Sequence, residues 1–482
     1  MSKEMVTQFV ARQLTEQSSL LRLLALDENG TPYRQRFIYP VLAKYLEDFL
    51  ASPANPRWLI IPGLRGVGKS TILAQLYFAF ERRFPGGIFY LSVDQVVKKL
   101  NATIFDVVDA YEEVVGGKLH RSQEPRLFLL DEVHYDPEWQ SALKALYDNT
   151  RKVFVVCSGS SALSLQLTTD VARRATLEKM LPLSFREYLL LSRGGREAEE
   201  PEAVRDLGKA VADALFGSAD AREAHGKLSA RSGAVRDFYR DHDALRIHNY
   251  LRYHALPSTL AMSDPGRIYR HLGSVIDRIV EKDLPDLRVF DRPVLNKVSS
   301  LLFLLAAADV SSLHSLARDL GEMDLGTLRA VFDVLEKTEL LFRVRPYGSA
   351  GRQVRKPSKY LFPAPCLRAA LAQPMAPEIL ESRLKGKLLE DAVGRYLLAE
   401  AGGPGGDGPC YDPGEGGADF VLTRGKSRVV LEVGWGKRDA SQVQATLKKI
   451  GGDYGILLTD GLLKLDADKR IVTVPLEYFF LL

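Results

Sequence analysis

The amino-acid sequence predicts an α/β protein whose first large part is a parallel sheet covered by helices. Three observations predict this class. Apolar runs of strand length recur at Trp58–Pro62, Gly87–Val93, Leu127–Leu130 and Val153–Cys157. Stretches with helical spacing of apolar residues separate these runs, and a glycine-rich loop follows the first of them. Because nearly continuous apolar strands are buried on both faces, this alternation favours a parallel sheet between layers of helices.

The composition is that of a soluble, intracellular globular protein. The chain has 482 residues, of which 46% are hydrophobic and 26% charged, and a formal net charge of +4. This length suggests two to four domains at roughly 100–200 residues each. The three cysteines are far apart, which argues against a disulfide framework and fits a reducing cytoplasm. Neither a signal peptide nor an apolar run long enough to cross a membrane is expected.

Composition and periodicity divide the chain into five segments. The four breaks fall at "ASPANPR", at the charged stretch that begins near residue 193, before the compact helix-rich unit that begins at residue 291, and at the linker "AQPMAPEI". The predicted segments are a helical lead-in at 1–57, an α/β core at 58–192, a helical insertion or lid region at 193–290, a helix-rich unit at 291–372 and a second α/β unit at 381–482.

The loop "GLRGVGKST" after the first strand has the spacing of a phosphate-binding P-loop. The pattern is glycine, four residues, then glycine, lysine and a hydroxyl residue. Glycines allow backbone N–H groups to surround phosphates, and the following helix adds its N-terminal dipole. Lys69 is expected to reach the terminal phosphates of ATP, and Ser70 to ligate Mg²⁺. The predicted nucleotide-binding residues are Gly63, Gly66, Gly68, Lys69, Ser70 and Thr71.

An acidic pair ends another apolar run, "RLFLLDEVHY", and supplies the second half of such a site. Asp131 would hold the Mg²⁺ shell, and Glu132 would polarise the attacking water. A plain strand-end turn with solvated carboxylates is the alternative. The P-loop upstream favours the hydrolytic interpretation, and Glu132 favours turnover over passive nucleotide sensing.

Polar and basic residues after the next strand could complete the site. Ser158 is the candidate for a sensor between the water and the γ-phosphate, although Ser158, Ser160 and Ser161 could equally be turn or helix-cap serines. Beyond them lie Arg173 and Arg174. A guanidinium there could reach a neighbouring subunit's γ-phosphate as an arginine finger, or form a surface salt bridge.

Several phrases together resemble the prokaryotic, archaeal-type AAA-family ATPases, which join an AAA+ ATPase module to a C-terminal domain of unknown function. The phrases are "GLRGVGKST", "LFLLDEVHYDPEWQSALKALYD", "VVCSGSSAL" and "LPLSFREYL", and the resemblance extends from about residue 30 to 482. That family has a Gly-Arg pair after the sensor strand; Arg173 stands at the glycine position, so Arg174 aligns with the family arginine. The resemblance implies that Arg174 is a finger and that subunits assemble into a ring or other homo-oligomer.

Residues 291–372 have the pattern of a winged helix-turn-helix domain, with three helices followed by a two-stranded hairpin. The third helix carries too many acids to read a major groove. The hairpin has a run of cations without an intervening acid, which could follow a phosphate backbone. A solvated hairpin or a protein-docking module is the alternative. The predicted DNA-binding residues are Arg343, Arg345, Arg352, Arg355, Lys356 and Lys359.

Residues 381–482 resemble the restriction-endonuclease-like, PD-(D/E)xK nuclease fold. In that fold a helix Glu, a strand Asp and a Glu-x-Lys strand hold Mg²⁺ and activate water, and the corresponding acids are Glu390, Asp419 and Glu432. The lysine position is Gly434, and Lys437 or Lys448 would have to reach in from elsewhere. The sequence therefore favours a degenerate domain over an active nuclease. The three acids could also be surface carboxylates.

The predicted function is that of an oligomeric, DNA-binding ATPase that remodels or translocates DNA, in recombination, repair or a mobile element. Its cofactors would be ATP and Mg²⁺, and its catalytic residues Lys69, Glu132, Ser158 and Arg174. A nucleotide-controlled signalling or defence switch, and an ATP-dependent nuclease, are the alternatives. No membrane partner is expected.

Overall fold

The computed structural model describes residues 3–52, 56–159, 168–192, 202–240, 246–287, 290–307, 312–373, 377–401, 408–425 and 427–482. Two compact units make up the chain, Met1–Leu181 and Pro182–Leu482. The first unit ends within the phrase "LPLSFREYL", so the helix that carries the end of this phrase belongs to the second unit. Of the serines considered after the sensor strand, Ser160 and Ser161 lie outside the described residues.

The first unit is a five-stranded parallel sheet with helices around it. Its strands are β1 (Trp58–Pro62), β2 (Ile88–Ser92), β3 (Arg126–Asp131), β4 (Val153–Gly159) and β5 (Thr176–Leu177). Its helices are α1 (Lys3–Ala25), α2 (Tyr39–Ala51), α3 (Lys69–Phe80), α4 (Val93–Leu100), α5 (Ile104–Val114), α6 (Trp139–Asn149) and α7 (Thr169–Ala172).

The predicted parallel sheet is confirmed, and the four predicted strands are β1 to β4. The order across the sheet is β2-β3-β4-β1-β5, with parallel pairing throughout. Every residue of β1 and β4 is buried, which is the burial expected for strands covered on both faces. This order places the loop after β1 beside the carboxyl end of β4, which in turn adjoins the end of β3.

Helix α1 covers the edge strand β2 through two glutamine side chains. Gln17 donates to the carbonyl oxygen of Ile88 at 2.9 Å and accepts from the backbone N–H of Tyr90 at 2.8 Å. Gln13 donates to the carbonyl oxygen of Tyr90 at 3.0 Å. An edge strand otherwise presents unpaired backbone groups to other chains. The amide side chains of α1 satisfy these groups as a neighbouring strand would.

The second unit begins with helices and ends in a mixed sheet. Its helices are α8 (Phe185–Ser192), α9 (Glu202–Phe216), α10 (Ala221–Ser229), α11 (Ser232–Arg240), α12 (Arg246–Arg252), α13 (Pro265–Arg278), α14 (Leu284–Leu287), α15 (Arg292–Ala307), α16 (Leu313–Asp319), α17 (Leu325–Lys337), α18 (Ala350–Arg355), α19 (Pro365–Ala372), α20 (Pro377–Ala401), α21 (Ser441–Ile450) and α22 (Leu476–Phe479). Its strands are β6 (Phe342–Pro346), β7 (Lys359–Leu361), β8 (Cys410–Tyr411), β9 (Phe420–Arg424), β10 (Ser427–Val433), β11 (Tyr454–Thr459), β12 (Lys464–Asp466) and β13 (Ile471–Pro475).

One eight-stranded sheet runs through the two C-terminal segments that the sequence analysis separated. Its order is β12-β13-β11-β10-β9-β8-β6-β7. Helices α15, α16 and α17 precede the antiparallel hairpin β6–β7, and β6 also pairs in parallel with β8. The expected three helices and hairpin are present, and the hairpin is the edge of the larger sheet. A winged-helix domain and a nuclease-like domain stay predictions for these segments.

A buried ion pair joins the helices that support this sheet. Arg368 of α19 donates to both carboxylate oxygens of Asp391 on α20, at 2.5 and 2.8 Å. Asp391 also accepts from the backbone N–H of Phe362 at 2.9 Å. The remaining guanidinium nitrogen of Arg368 donates to the carbonyl oxygens of Leu305 and Ala306, at the end of α15. Both side chains are buried, so the pair fixes three helices and the end of the hairpin relative to one another.

Candidate functional site

The P-loop connects β1 to α3 and depends on glycine at three places. Gly66 and Gly68 have φ angles of 87° and 97°, in the left-handed region that glycine enters without strain. Gly63 lies so close to Met180 that a Cβ atom would be 2.5 Å from the Met180 carbonyl oxygen. The three glycines of the predicted P-loop therefore stand at positions where the backbone of this loop requires glycine. Thr71 follows on α3 and is partly exposed.

The Lys69 ammonium lies within the curve of the loop. The residue is 6% exposed, and its Nζ donates to the carbonyl oxygens of Gly63 at 2.9 Å and Leu64 at 3.4 Å. The first turn of α3 begins at this residue, so its free backbone N–H groups open toward the same space. Cation, loop and helix N-terminus together form a site for phosphate groups.

Asp131 is the centre of the predicted metal position. The parallel register sets Leu130 opposite Cys157, which brings the next residue on each strand, Asp131 and Ser158, together. The Ser158 hydroxyl donates to Asp131 Oδ1, and Ser70 of the P-loop also hydrogen-bonds the carboxylate. The pKa of Asp131 is raised above its ordinary value, chiefly by burial and then by the neighbouring Glu132. The two hydroxyls and the Lys69 ammonium lower it and offset only part of this rise.

The donor set around Asp131 fits Mg²⁺. This ion takes oxygen ligands and is bound in nucleotide sites by one or two carboxylates together with substrate phosphates. Ser70 and Asp131 supply one hydroxyl and one carboxylate within hydrogen-bonding contact. Among the residues that the structure describes, no three carboxylate, imidazole or thiol side chains are grouped closely enough to hold a metal ion without other ligands.

Glu132 lies at the turn after β3 in an unusual backbone conformation. Its φ angle is 56°, which a residue other than glycine seldom adopts, and its side chain is 22% exposed. The backbone N–H of Glu132 donates to the Ser158 hydroxyl at 3.4 Å. The structure therefore brings together Lys69, Ser70, Asp131 and Ser158, with Glu132 beside them.

Three residues that contact this site were not predicted. His134 Nδ1 lies 3.3 Å from a Glu132 carboxylate oxygen, and the Tyr90 hydroxyl donates to Asp131 Oδ2 at 3.5 Å. The buried guanidinium of Arg36 donates to the carbonyl oxygens of Val67 at 2.7 Å and Leu181 at 2.8 Å. His134 stands two residues after Glu132, which is a usable signal in the sequence. Arg36 precedes its partners by 31 and 145 residues, and no local pattern indicates those contacts.

Arg174, the predicted finger, is paired within its own chain. Its Nε and Nη2 donate to the two carboxylate oxygens of Asp148 at 2.9 and 3.3 Å. Its Nη1 donates to the carbonyl oxygen of Asp170 at 2.9 Å. The Arg174 side chain is 25% exposed and that of Arg173 is 77% exposed. A role for Arg174 at a neighbouring subunit's nucleotide stays a prediction.

The basic hairpin surface consists of five cations on β6, on helix α18 and directly after α18, all before β7. Arg343, Arg345, Arg355 and Lys356 are exposed, and Arg352 is partly exposed. Arg343 forms an ion pair of 3.2 Å with an acid of α17, Glu336.

Lys359 does not belong to this surface, so the sequence-based placement of its side chain is corrected. It is 5% exposed, because its side chain runs inward between the rings of Tyr411 and Phe420. Its ammonium contacts Glu390 and lies 3.1 Å from Asp419 Oδ1. The lysine is thus an internal counter-ion.

The three predicted nuclease-type acids lie in a charge cluster with two lysines, in which Lys359 and Glu432 are buried and the other members are partly exposed. We define this cluster as Lys359, Glu390, Asp419, Glu432 and Lys437. The backbone N–H of Asp419 donates to Glu432 at 3.1 Å, and the Lys437 ammonium contacts the other oxygen of Glu432. Burial and the Asp419 charge raise the pKa of Glu432 to about 7, against the opposing effect of Lys437.

Part of this chain is an AAA domain, as its comparison with protein families shows. Residues 55–189 match the family described as "AAA domain", which spans the P-loop, Asp131, Ser158 and Arg174. The chain also belongs to the family of the uncharacterized protein MJ1637 of Methanocaldococcus jannaschii. The two are 33% identical over 454 residues, which is 93% of this chain and 89% of MJ1637. An uncharacterized protein of Haemophilus influenzae is 30% identical over 148 residues, covering 30% of this chain and 36% of that protein.

Two solved structures show more distant similarity. The ORC2 protein of Aeropyrum pernix is 14% identical, with 73% of this chain and 98% of that chain covered and a TM-score of 0.36. The RuvB Holliday junction branch migration motor of Thermotoga maritima is 16% identical, with 67% and 93% covered and a TM-score of 0.27. Similarity at this level carries no function over to this chain. In the described part of the chain, no helix is both long and apolar enough to span a membrane.

Proposed function

We propose that this protein is an ATP-hydrolysing AAA+ protein that binds DNA, assembles into oligomers and remodels or translocates DNA. The observation that carries the ATPase part is the convergence of the P-loop and Asp131. Lys69 and Ser70 come from one loop, and Asp131 and Ser158 from two neighbouring strands. Glu132 stands next to this group, where a carboxylate can accept a proton from water.

Each side chain of the site has a separate role in hydrolysis. Bound Mg²⁺ supplies positive charge to the phosphates. Ser70 and Asp131 are the chain's ligands for it, and Lys69 with the N–H groups of the loop hold the phosphate oxygens. Ser158 fixes the Asp131 carboxylate through its hydroxyl and leaves Glu132 to orient the water and take its proton. His134, whose Nδ1 lies 3.3 Å from a Glu132 carboxylate oxygen, restrains that carboxylate.

The basic hairpin surface supports the DNA-binding part of the proposal. Its exposed cations extend over one hairpin at the edge of the eight-stranded sheet, and a hairpin of this kind can follow a phosphate backbone. Such contacts favour DNA structure over base sequence. Arg174 supports the oligomeric part, since its family position is that of a residue completing a neighbour's site; this requires Arg174 to leave Asp148.

ATP turnover measured against single-stranded, duplex, forked and four-way DNA tests this proposal. We expect at least one of these DNAs to stimulate turnover. Replacing Arg352, Arg355 and Lys356 together by Gln should weaken DNA binding and reduce the slope of log affinity against log salt by about 2 to 3. Replacing Arg231, Arg236 and Arg240 is the matched control, because these exposed arginines of the same unit lie on or beside α11.

The outcomes separate the proposal from its alternative. An unchanged salt slope in the hairpin variant would remove the hairpin from DNA binding. ATP turnover that no DNA stimulates would favour a nucleotide-controlled switch, in which hydrolysis governs assembly. Loss of DNA binding in the control variant alone would place the DNA on α11.

A further inference from the structure

The charge cluster contains more basic groups than the nuclease resemblance implies. That resemblance implies Mg²⁺ held by Glu390, Asp419 and Glu432, with one lysine beside it. The structure instead places two ammonium groups on these acids, one at each end of the cluster. Neither comes from position 434, where the resemblance expects the lysine.

Lys359 is positioned as a resident cation between two of the acids. Its Nζ contacts Glu390 on α20 and lies 3.1 Å from Asp419, just before β9. Its side chain is 7% exposed, so these contacts are largely shielded from water. The aromatic rings of Tyr411 and Phe420, at 5.9 and 5.7 Å, favour a cation at the same place. A metal ion at Asp419 and Glu390 would have to displace this ammonium.

Lys437 fills the space left by the missing lysine. A Cβ atom at Gly434 would be 2.7 Å from the Cβ and 2.8 Å from the Cδ of Lys437, so the two side chains exclude each other. The Lys437 ammonium contacts both Glu432 and the side-chain oxygen of Gln442 at the start of α21. Gly434 is therefore required by the path of the Lys437 side chain.

The charges of the cluster are nearly balanced without any added ion. Three carboxylates face two ammonium groups, so the formal charge of the cluster is only −1. Buried carboxylates remain ionised when cations and hydrogen bonds compensate the loss of hydration. A divalent cation added to this set would leave an excess of positive charge in a site that is largely shielded from water. The residues present consequently do not fit a bound Mg²⁺.

We propose that Lys359 and Lys437 permanently replace the divalent cation in this cluster, which makes the C-terminal sheet metal-independent. The cluster then has a structural role: Lys359 links hairpin strand β7 to α20 and to the start of β9, and Lys437 links β10 to α21. Nucleic acid held by the hairpin is not cut by this domain. This inference concerns residues away from the basic hairpin surface and stands whether or not that surface binds DNA.

Binding of Mn²⁺ to the full chain without nucleotide, measured by electron paramagnetic resonance, tests the inference. Binding that the substitution Asp419→Asn abolishes is assigned to the cluster. We expect no such binding in the wild-type chain at millimolar Mn²⁺, and no change in melting temperature between EDTA and excess Mg²⁺. Wild-type binding that Asp419→Asn removes would overturn the proposal.

The lysine variants give the complementary result. Replacing both Lys359 and Lys437 by Met should create Mn²⁺ binding that Asp419→Asn removes, with at least a tenfold lower dissociation constant than in the wild-type chain. If circular dichroism shows that the double variant is unfolded, replacing both lysines by Gln takes its place, because the amides remove both charges and keep a hydrogen-bond donor at each position. A folded variant without any gain in Mn²⁺ binding would show that the lysines are not what excludes the metal.

Discussion

Replacing Asp391 by Asn should loosen the helices behind the eight-stranded sheet without changing their volume. The wild-type carboxylate is fully buried, accepts two hydrogen bonds from Arg368 and one from the backbone of Phe362, and carries the charge that balances a guanidinium 2% exposed. Removing one partner of a buried pair costs about 3–5 kcal/mol, because the other charge is left uncompensated. We expect a loss of this size in the second unit.

Hydrogen exchange followed by mass spectrometry measures this loss where it occurs. A drop of about 3–5 kcal/mol in the free energy of opening speeds amide exchange in α19 and α20 between roughly 100-fold and a few thousand-fold. The double variant Arg368→Met with Asp391→Leu should recover most of the protection, since apolar replacements remove both charges. Lys227→Met is the exposed-pair control and should cost at most about 1 kcal/mol. A loss below about 1 kcal/mol in Asp391→Asn would show that this carboxylate does not hold the helices together.

Two further substitutions test the first unit. Gly63→Ala should lower nucleotide affinity at least about tenfold in a fluorescence titration, because a Cβ atom 2.5 Å from the Met180 carbonyl oxygen displaces the loop. Gly226→Ala, on a helix where a Cβ meets nothing within 4 Å, is its control, and wild-type affinity in Gly63→Ala would contradict the close approach. Arg174→Ala should slow hydrolysis by the assembled protein about 10³-fold, on the scale of arginine fingers. Arg173→Ala should hydrolyse normally, and equal rates for both variants would exclude the finger.

Local pattern was sufficient to predict the sheet and to indicate that the P-loop lies beside the acids at the strand ends. The strands β1 and β4 are buried along their whole length, so their sequences are apolar throughout and stand out from the helices between them. The P-loop is a contiguous motif whose glycines follow from backbone geometry. Asp131 and Ser158 end strands of one parallel sheet, and this alone brings them to the same edge.

Contacts between distant residues could not be predicted in this way. Arg36 precedes the first strand in the sequence, yet its side chain contacts the P-loop. No spacing in the sequence indicates its two carbonyl partners. Lys359 was grouped with the hairpin cations because its neighbours in sequence are basic, yet alternation along β7 turns it inward to Glu390. The sequence alone does not indicate which face of a short strand a charged residue occupies. For Lys359 that face is set by its partners, which lie on α20 and just before β9.

ATP turnover in Glu132→Gln measures whether Lys69, Asp131 and Glu132 form a hydrolysing site. With Mg²⁺ present, we expect the wild-type chain to release phosphate from ATP and Lys69→Ala to lose nucleotide binding. Glu132→Gln should bind ATP with wild-type affinity and turn over at least about 100-fold more slowly, as expected for loss of a positioned base. Turnover at the wild-type rate in Glu132→Gln would contradict the account.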